Sequence, residues 1–325
     1  MEKRNFIKAT FVAALAFALV ALPTAGTTAE IGRLKLIVPA SAGGGWDLTG
    51  RTIDKVLRST GQVRSIQVEN IPGAGGTVAL PQFLAQKGQG DTMMVTGFTI
   101  VSAAITNQAP NSIAEATPLA RISGEAHVLV VPANSPFKTL NDFVEALKRD
   151  PSKVSVTGGT PGGSDHITLG LLAKTAGIDP LQLNWIAYDG GGQAQTALLG
   201  NHVQAGISNW SEFEGQVQAG RLRALAISAE AKLPGIDVPT FKEQGHDVVL
   251  YNWRGLFAPP GVSDADRQKL ESVIATMVKS EEWKKEMQTR KWVDLYMPAS
   301  EFGPQVKKEV QAITEIMKTL GFSKG

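Results

Sequence analysis

Leu34-Lys35-Leu36-Ile37-Val38-Pro39-Ala40-Ser41-Ala42-Gly43-Gly44-Gly45-Trp46-Asp47 is the stretch on which the fold turns. A short apolar run predicts a buried strand, the glycines a hinge, and the residues beyond them a helix. In that helix Ile53, Val56 and Leu57 fall at i, i+3 and i+4, and Gly61 stops it. The glycines carry no Cβ, so the backbone can approach a ligand closely. The helix start behind them offers unpaired N–H groups and the positive end of its dipole, which is a seat for a carboxylate or a phosphate. The same residues also describe an ordinary tight strand-to-helix turn, and alone they do not separate the two.

The theme recurs. Val154-Ser155-Val156 leads into Thr157-Gly158-Gly159-Thr160-Pro161-Gly162-Gly163-Ser164-Asp165-His166 and a helical run from Ile167 to Ala176. Leu183 to Ala187 leads into Tyr188-Asp189-Gly190-Gly191-Gly192 and a helix with Ala194, Ala197 and Leu198 inward. Between them lie strands at Ser65–Val68 and Met93–Thr96, a helix with Val78, Phe83 and Leu84 inward, and a helix capped by Thr139. Val128–Val131 opens a new block after a loop-like stretch. Strands near Ala205–Ser208 and Leu225–Ser228 precede a Pro/Gly-rich crossing over Ala231–Gly245. Val248–Tyr251 and Gly255–Ala258 read as two returning strands, and two helices close the chain, one after Ser263-Asp264 and one from Glu301. Strands alternating with helices predict an α/β chain with a parallel, doubly wound sheet.

Lys3, Arg4 and Lys8, the apolar run Phe11–Leu22 and the small residues up to Ala29 have the layout of a secretory signal peptide. Cleavage is expected after Ala29 or Ala25, and no later segment reads as a membrane span. With no cysteine among 325 residues, there is no disulfide framework, thiol nucleophile, cysteine metal site or lipid-anchored N-terminal cysteine. The expectation is an exported, unanchored protein of the periplasm. Removing the signal leaves 29 basic and 29 acidic residues, and no clustered basic stripe invites nucleic acid.

Enzyme motifs fail on spacing. No glycine loop continues into Lys-Ser or Lys-Thr, no helix carries His-Glu-x-x-His, and His127, His166, His202 and His246 are scattered. No metal and no cofactor are expected. Ser164-Asp165-His166 does not make a triad, because adjacent residues cannot take that geometry; a capped helix start is the simpler reading. Trp46, Phe98, Tyr188 and Trp210 offer apolar walls or core packing, Asp47 a cap or a discriminating group, and Arg254 a counter-charge or a surface or hinge ion pair.

Several ordered motifs carry a family resemblance: Pro39…Gly43-Gly44-Gly45-Trp46-Asp47…Arg51, Glu69-Asn70-Ile71-Pro72-Gly73-Ala74-Gly75-Gly76-Thr77, Pro118-Leu119-Ala120-Arg121, Gly158–His166, Gly190-Gly191-Gly192, and Trp253…Ala258-Pro259-Pro260-Gly261. With these the chain resembles the extracytoplasmic solute-binding receptors of tripartite tricarboxylate transporters, also called Bug proteins. The resemblance implies a two-domain clamshell like the type 2 periplasmic binding proteins, with lobe 1 formed by residues 30–127 plus 229–325 and lobe 2 by 128–228. It implies a ligand carboxylate pinched mainly by backbone amides of two loops, carried here onto Ser41, Ala42, Gly43, Gly44, Gly45, Trp46 and Asp47, and onto Thr160, Gly162, Gly163, Ser164 and His166. Phe98, Tyr188, Gly190 and Ser208 complete the expected site. Gly-Gly-Gly-Trp-Asp with Asn-Trp-Arg-Gly resembles the branch associated with citrate and other tricarboxylates. The expected function is a monomeric, non-enzymatic receptor that delivers a small di- or tricarboxylate to membrane permease subunits. Competing readings are an aromatic or amino-acid carboxylate in the same family, an inorganic oxyanion, and an exported enzyme acting on carboxylates.

Overall fold

The computed structural model describes residues 31–188 and 191–322, so the expected leader, residues 1–29, and Gly190 lie outside the described residues. The chain begins β1 (Leu34–Val38), α1 (Gly45–Ser59), β2 (Ile66–Asn70), α2 (Ala79–Leu84), β3 (Thr92–Gly97) and α3 (Phe98–Thr106). Next come β4 (Thr117–Pro132), α4 (Leu140–Arg149), β5 (Ser155–Gly158), α5 (Ser164–Thr175), β6 (Asn184–Ala187), α6 (Gly191–Leu199), β7 (Ala205–Asn209), α7 (Trp210–Gln218) and β8 (Leu222–Ile227). It returns through β9 (Tyr251–Ala258), α8 (Asp264–Lys279), α9 (Glu281–Arg290), the two-residue β10 (Met297–Pro298) and α10 (Ala299–Thr319).

The strands hydrogen-bond in the order β2-β1-β3-β9-β4-β7-β5-β6, with β8 and β10 also pairing with β4. β1 runs parallel to β2 and β3, and β5 parallel to β6 and β7, as strand–helix–strand units require. β4 and β9 run against their neighbours, so the sheet is mixed rather than wholly parallel. The reason is topological: these two strands carry the chain out of one half of the molecule and back again.

β4 corrects the sequence reading most. Its residues 117–126 pair with β9, and 127–132 pair with β7 and β8, so what reads as loop before Val128 is strand. Arg121, Ser123, Glu125 and His127 break the apolar pattern there, yet Ser123, Glu125 and His127 are buried. In place of the two expected returning strands there is the single β9, which takes only Tyr251 of the first and runs through Gly255 to Ala258. The charged helix α9 was not anticipated; Ser280 caps it, and Trp283 and Met287 anchor its inner face. Val78 is 44% exposed and precedes α2 rather than packing inward.

One apolar cluster joins Leu36, Ile53, Phe83, Val95, Phe257, Ile274 and Met317. Two others cover opposite faces of the second half: Leu129 and Val131 of β4 enter one, Val128 and Val130 the other. Ala229, Ile236, Val238, Phe241 and Val248 pack with these two, and Leu250 with the first.

Where the chain crosses between halves, one hydroxyl ties the crossings together. Ser228 Oγ accepts from His127 N (2.8 Å) and donates to the Leu250 carbonyl (2.6 Å), while Ser228 N donates to the His127 carbonyl (2.8 Å) and Leu250 N to the Ser228 carbonyl (3.0 Å). Ser228 is fully buried. Ser228→Ala strands the His127 amide and should lower the unfolding free energy by about 1–3 kcal/mol, read from urea denaturation. A change within error would show that the hydroxyl does not tie the crossings.

Candidate functional site

A cavity of about 750 Å³ lies where the two halves face each other. The first half lines it with Ser41, Gly44, Gly45, Trp46, Pro72–Gly75, Thr99, Asn107, Asn252 and Arg254. The second half brings His127, Gly159–Pro161, Ser164, Asp165, Tyr188, Gln193, Ser208, Asn209 and Glu212. Helices α1, α5 and α7 all begin at this cavity, with Gly44, Gly163 and Asn209 as N-caps, and none has a side-chain cap. First-turn N–H groups precede the helical hydrogen-bond ladder and, apart from His166 N, which donates to Asp165 Oδ1 (3.2 Å), concentrate positive potential on the same space.

Carboxylates at two of these helix starts also shape the two glycine loops. Asp47 accepts from Gly43 N (2.9 Å), Arg51 Nε (2.8 Å) and Asn70 Nδ2 (2.9 Å), and Asn70 also holds the Ala40 carbonyl (3.0 Å). Burial would raise its pKa, but Arg51 and these hydrogen bonds outweigh that and leave it below the ordinary carboxylate value. Gly43 has φ of +86° and Gly162 of +74°, a left-handed turn that a side chain would strain. In the facing loop Asp165 accepts from Gly159 N (2.5 Å) and His166 N (3.2 Å). Burial dominates and lifts its carboxyl to about 6. His166 accepts from Gly162 N (3.0 Å), and its ring lies between those of Trp185 and Phe322, with centroids at 4.6 and 4.2 Å. It braces the loop from behind.

The deep end of the cavity is charged. Arg254, 2% exposed, pairs with Glu125 (3.4 Å) and donates to Asn252 Oδ1 (2.6 Å), while Asn252 Nδ2 donates to Asn209 Oδ1 (3.2 Å). Glu125 also accepts from Ser211 Oγ (2.5 Å). Glu212 accepts from Ser208 Oγ. Burial foremost, with Glu125 and Asp165 nearby, pushes Glu212 up to about 7 despite Ser208 and Arg254. A Cβ placed on Gly45 would stand 2.9 Å from Arg254 Nη2, 3.4 Å from Asn209 Nδ2 and 3.6 Å from Glu212 Oε1. The start of α1 therefore touches the charged end directly, and only glycine leaves that approach open.

The family model for the tripartite tricarboxylate transporter family receptor matches residues 51–322. The chain belongs to this receptor family. A Cupriavidus necator relative, the UPF0065 protein in the gbd 5′ region, is 28% identical over 100% of this chain and 99% of its own length. Three solved structures share the two-lobed fold. The periplasmic binding protein BugD superposes with a TM-score of 0.80 at 22% identity, covering 90% of this chain and 99% of its own. MatC of Rhodopseudomonas palustris with bound malate gives 0.78 at 22% identity (88% and 98% covered). An R. palustris protein with adipate gives 0.81 at 20% identity (90% and 98% covered).

The receptor's cavity gathers Ser41, Gly44, Gly45, Trp46, Thr160, Ser164, Tyr188 and Ser208 from the expected site. Ala42, Gly43, Asp47, Gly162, Gly163 and His166 are not among the lining residues; Ala42 and Gly43 are exposed. Phe98 is 4% exposed and packs in the first core, with Thr99 on the cavity in its place; Trp210 likewise packs in the core. Arg254 is a buried pair at the cavity, not a surface one. His127, Asn209 and Glu212 line the cavity without having been expected there, and Asn252 was marked only as part of Asn-Trp-Arg-Gly. Asn209–Glu212 is a fourth strand-to-helix junction without the glycines that mark the others, and nothing in the sequence around His127 signals its place.

Ser164 Oγ lies 3.0 Å from His127 Nε2, and Thr168 Oγ1 3.2 Å from Nδ1. Thr168 donates its hydroxyl hydrogen to the Ser164 carbonyl (2.8 Å), so it accepts from Nδ1–H and leaves Nε2 to accept from Ser164. Burial, then Arg254, lowers His127 to about 3, too weak a base to activate a serine at neutral pH. Trp46 Nε1 and Arg254 Nε are buried donors without a hydrogen-bond partner among the described residues, and both residues line the cavity.

Two outcomes follow for the receptor. Gly45→Ala sets a methyl against Arg254 and should weaken ligand binding at least tenfold in calorimetry while thermal unfolding stays near wild type. Unfolded His127 protonates near pH 6.5, whereas the folded ring stays neutral to about 3. Its contribution is therefore complete above pH 6.5 and lost as pH falls, by about 1.4 kcal/mol per pH unit. His127→Gln should flatten the fall in stability between pH 6 and about 4 relative to wild type; parallel curves would refute the assignment.

Proposed function

We propose that this receptor is exported by its N-terminal segment, acts in the periplasm as a monomer, and closes on a small dicarboxylate for delivery to membrane permease subunits. The observation that carries the reading is the meeting of uncapped helix starts from both halves, α1 on one side and α5 and α7 on the other, at one cavity. One carboxylate sits on first-turn amides near Gly45 and Ser164, with Trp46 Nε1 as a further donor. A group held from both sides binds the closed shape better than the open one, so the ligand shifts the population toward closure. We take the lobes as residues 30–126 plus 250–325 and residues 127–249, turning about the crossings at Ser228. The bound malate and adipate of MatC and the second R. palustris protein support the dicarboxylate class.

Citrate fits the charges less well. Arg254 is the sole Lys or Arg among the described residues that line the cavity, and it already faces Glu125. A third ligand carboxylate adds repulsion from Glu212 and Asp165 without a further cation. An enzyme acting on carboxylates lacks a competent base at Ser164. A thermal-shift panel of succinate, malate, adipate, citrate, benzoate, phosphate and sulfate tests the proposal. Dicarboxylates at about 100 times Kd should stabilise the receptor by ~2.7 kcal/mol, with citrate well behind. A response confined to phosphate and sulfate would overturn the carboxylate reading.

A further inference from the structure

The charges around the cavity do not suit a plain dianion. Arg254 and Glu125 form a buried pair, and Asp165 is held by two backbone amides. Glu212 is left over. It lines the cavity from the first turn of α7, and among the described residues its side chain takes one hydrogen-bond donor, the Ser208 hydroxyl. Each element around it presents something different: Ser208 from β7, Arg254 from β9, Glu125 from β4, Asp165 from α5, and the bare backbone of Gly45 from α1. Gln195 of α6 bonds the Glu212 main-chain carbonyl and leaves its carboxyl alone.

Donors and this acceptor lie side by side. The Cβ position of Gly45, at the anion-seating start of α1, is 2.9 Å from Arg254 Nη2 and 3.6 Å from Glu212 Oε1. Trp46 Nε1 and Arg254 Nε add two unpartnered buried donors at the same cavity. A ligand carboxylate on those donors thus has a protein carboxylate as its neighbour. Two such groups repel unless a proton or a cation stands between them. Among the described residues no group of three or more His, Cys, Asp or Glu gathers that would hold a metal ion there.

We propose that the ligand is a small zwitterionic acid, with an ammonium beside the carboxylate, and that Glu212 is the counter-charge that selects it. This rests on the carboxylate-receptor reading above and narrows it. Glu212 accepts from the ammonium while the neighbouring carboxylate takes the first-turn amides and Arg254. Donor and acceptor lying side by side suit an α-amino acid, whose two charged groups share one carbon. An unsubstituted diacid binds only with Glu212 protonated, so it draws a proton from solution above neutral pH, whereas the zwitterion binds without one.

Succinate, malate and aspartate make the test, since they differ only in H, OH or NH3+ at one carbon. Calorimetry at pH 8 on the mature receptor should show aspartate at least tenfold tighter than succinate, with malate between them. Glu212→Gln should erase aspartate's advantage and leave succinate equal or tighter. Repeating wild-type titrations in two buffers of different ionisation enthalpy should show uptake of close to one proton with succinate and none with aspartate; this second measurement decides the matter even if the variant does not fold. Succinate binding as tightly as aspartate, an unchanged ratio in Glu212→Gln, or equal proton uptake would overturn the proposal. Binding of none of the three, with phosphate or sulfate binding instead, would remove the carboxylate reading itself and this inference with it.

Discussion

Helix starts pointed into a shared interior space impose the constraint from which the rest of the molecule follows. Amides at the head of α1, α5 and α7 are denied a cap, and buried N–H groups without an acceptor are costly. Nearby carboxylates serve the glycine loops, and only Asp165 also takes a first-turn amide, that of His166. Asp47 is tied to Gly43, Arg51 and Asn70, and Asp165 to Gly159 and His166. The loops are thereby fixed through their own amides, those of Gly43, Gly159 and Gly162, so the helix starts behind them are held in place. Preorganising donors in this way reduces what a ligand must order when it binds.

Around this polar centre the two halves already touch. Phe322, just past α10, stacks on His166 beside α5, and Lys174 Nζ reaches the Thr319 carbonyl (3.2 Å). Helix α5 is buried on nearly every side, since Ile167 enters the first core and Leu169, Leu172 and Ala173 the second. Its weak amphipathic pattern is a consequence of serving both cores. The helix that presents Ser164 to the cavity is thus held by both halves, so the position of its amides depends on how they are placed relative to each other.

Much of this was legible in the sequence because glycine leaves a mark. Gly43–Gly45, Gly158–Gly163 and the run after Tyr188 announced three junctions, and the cavity is lined from all three, through Gly45 and Trp46, Thr160 and Ser164, and Tyr188 and Gln193. What stayed hidden was long-range. Glu125 and His127 look like interruptions of an apolar strand until β9 and β7 bring Arg254 and Asn209 beside them. Glu212 looks like an ordinary acid in a first helical turn, where a dipole favours it, until burial with Glu125 and Asp165 changes its chemistry. Phe98 misled because a strand-to-helix corner points one residue inward and the next outward, and Thr99 took the cavity side. Local pattern reports local geometry, and a charge array built from β4, β7, β9 and α7 has no local pattern.

The sixteen-residue β4 also sets an order of assembly. Between His127 and Ser228 one continuous segment makes β5 to β8 and their helices, and the Ser228 bonds bring the two ends of that segment together. The other half has to unite β1 and β3 with β9, so its sheet joins residues more than a hundred positions apart. Closing such long loops slows folding. The inserted half can therefore form first and act as a template, presenting the far end of β4 as a ready edge on which β9 docks and completes the other sheet.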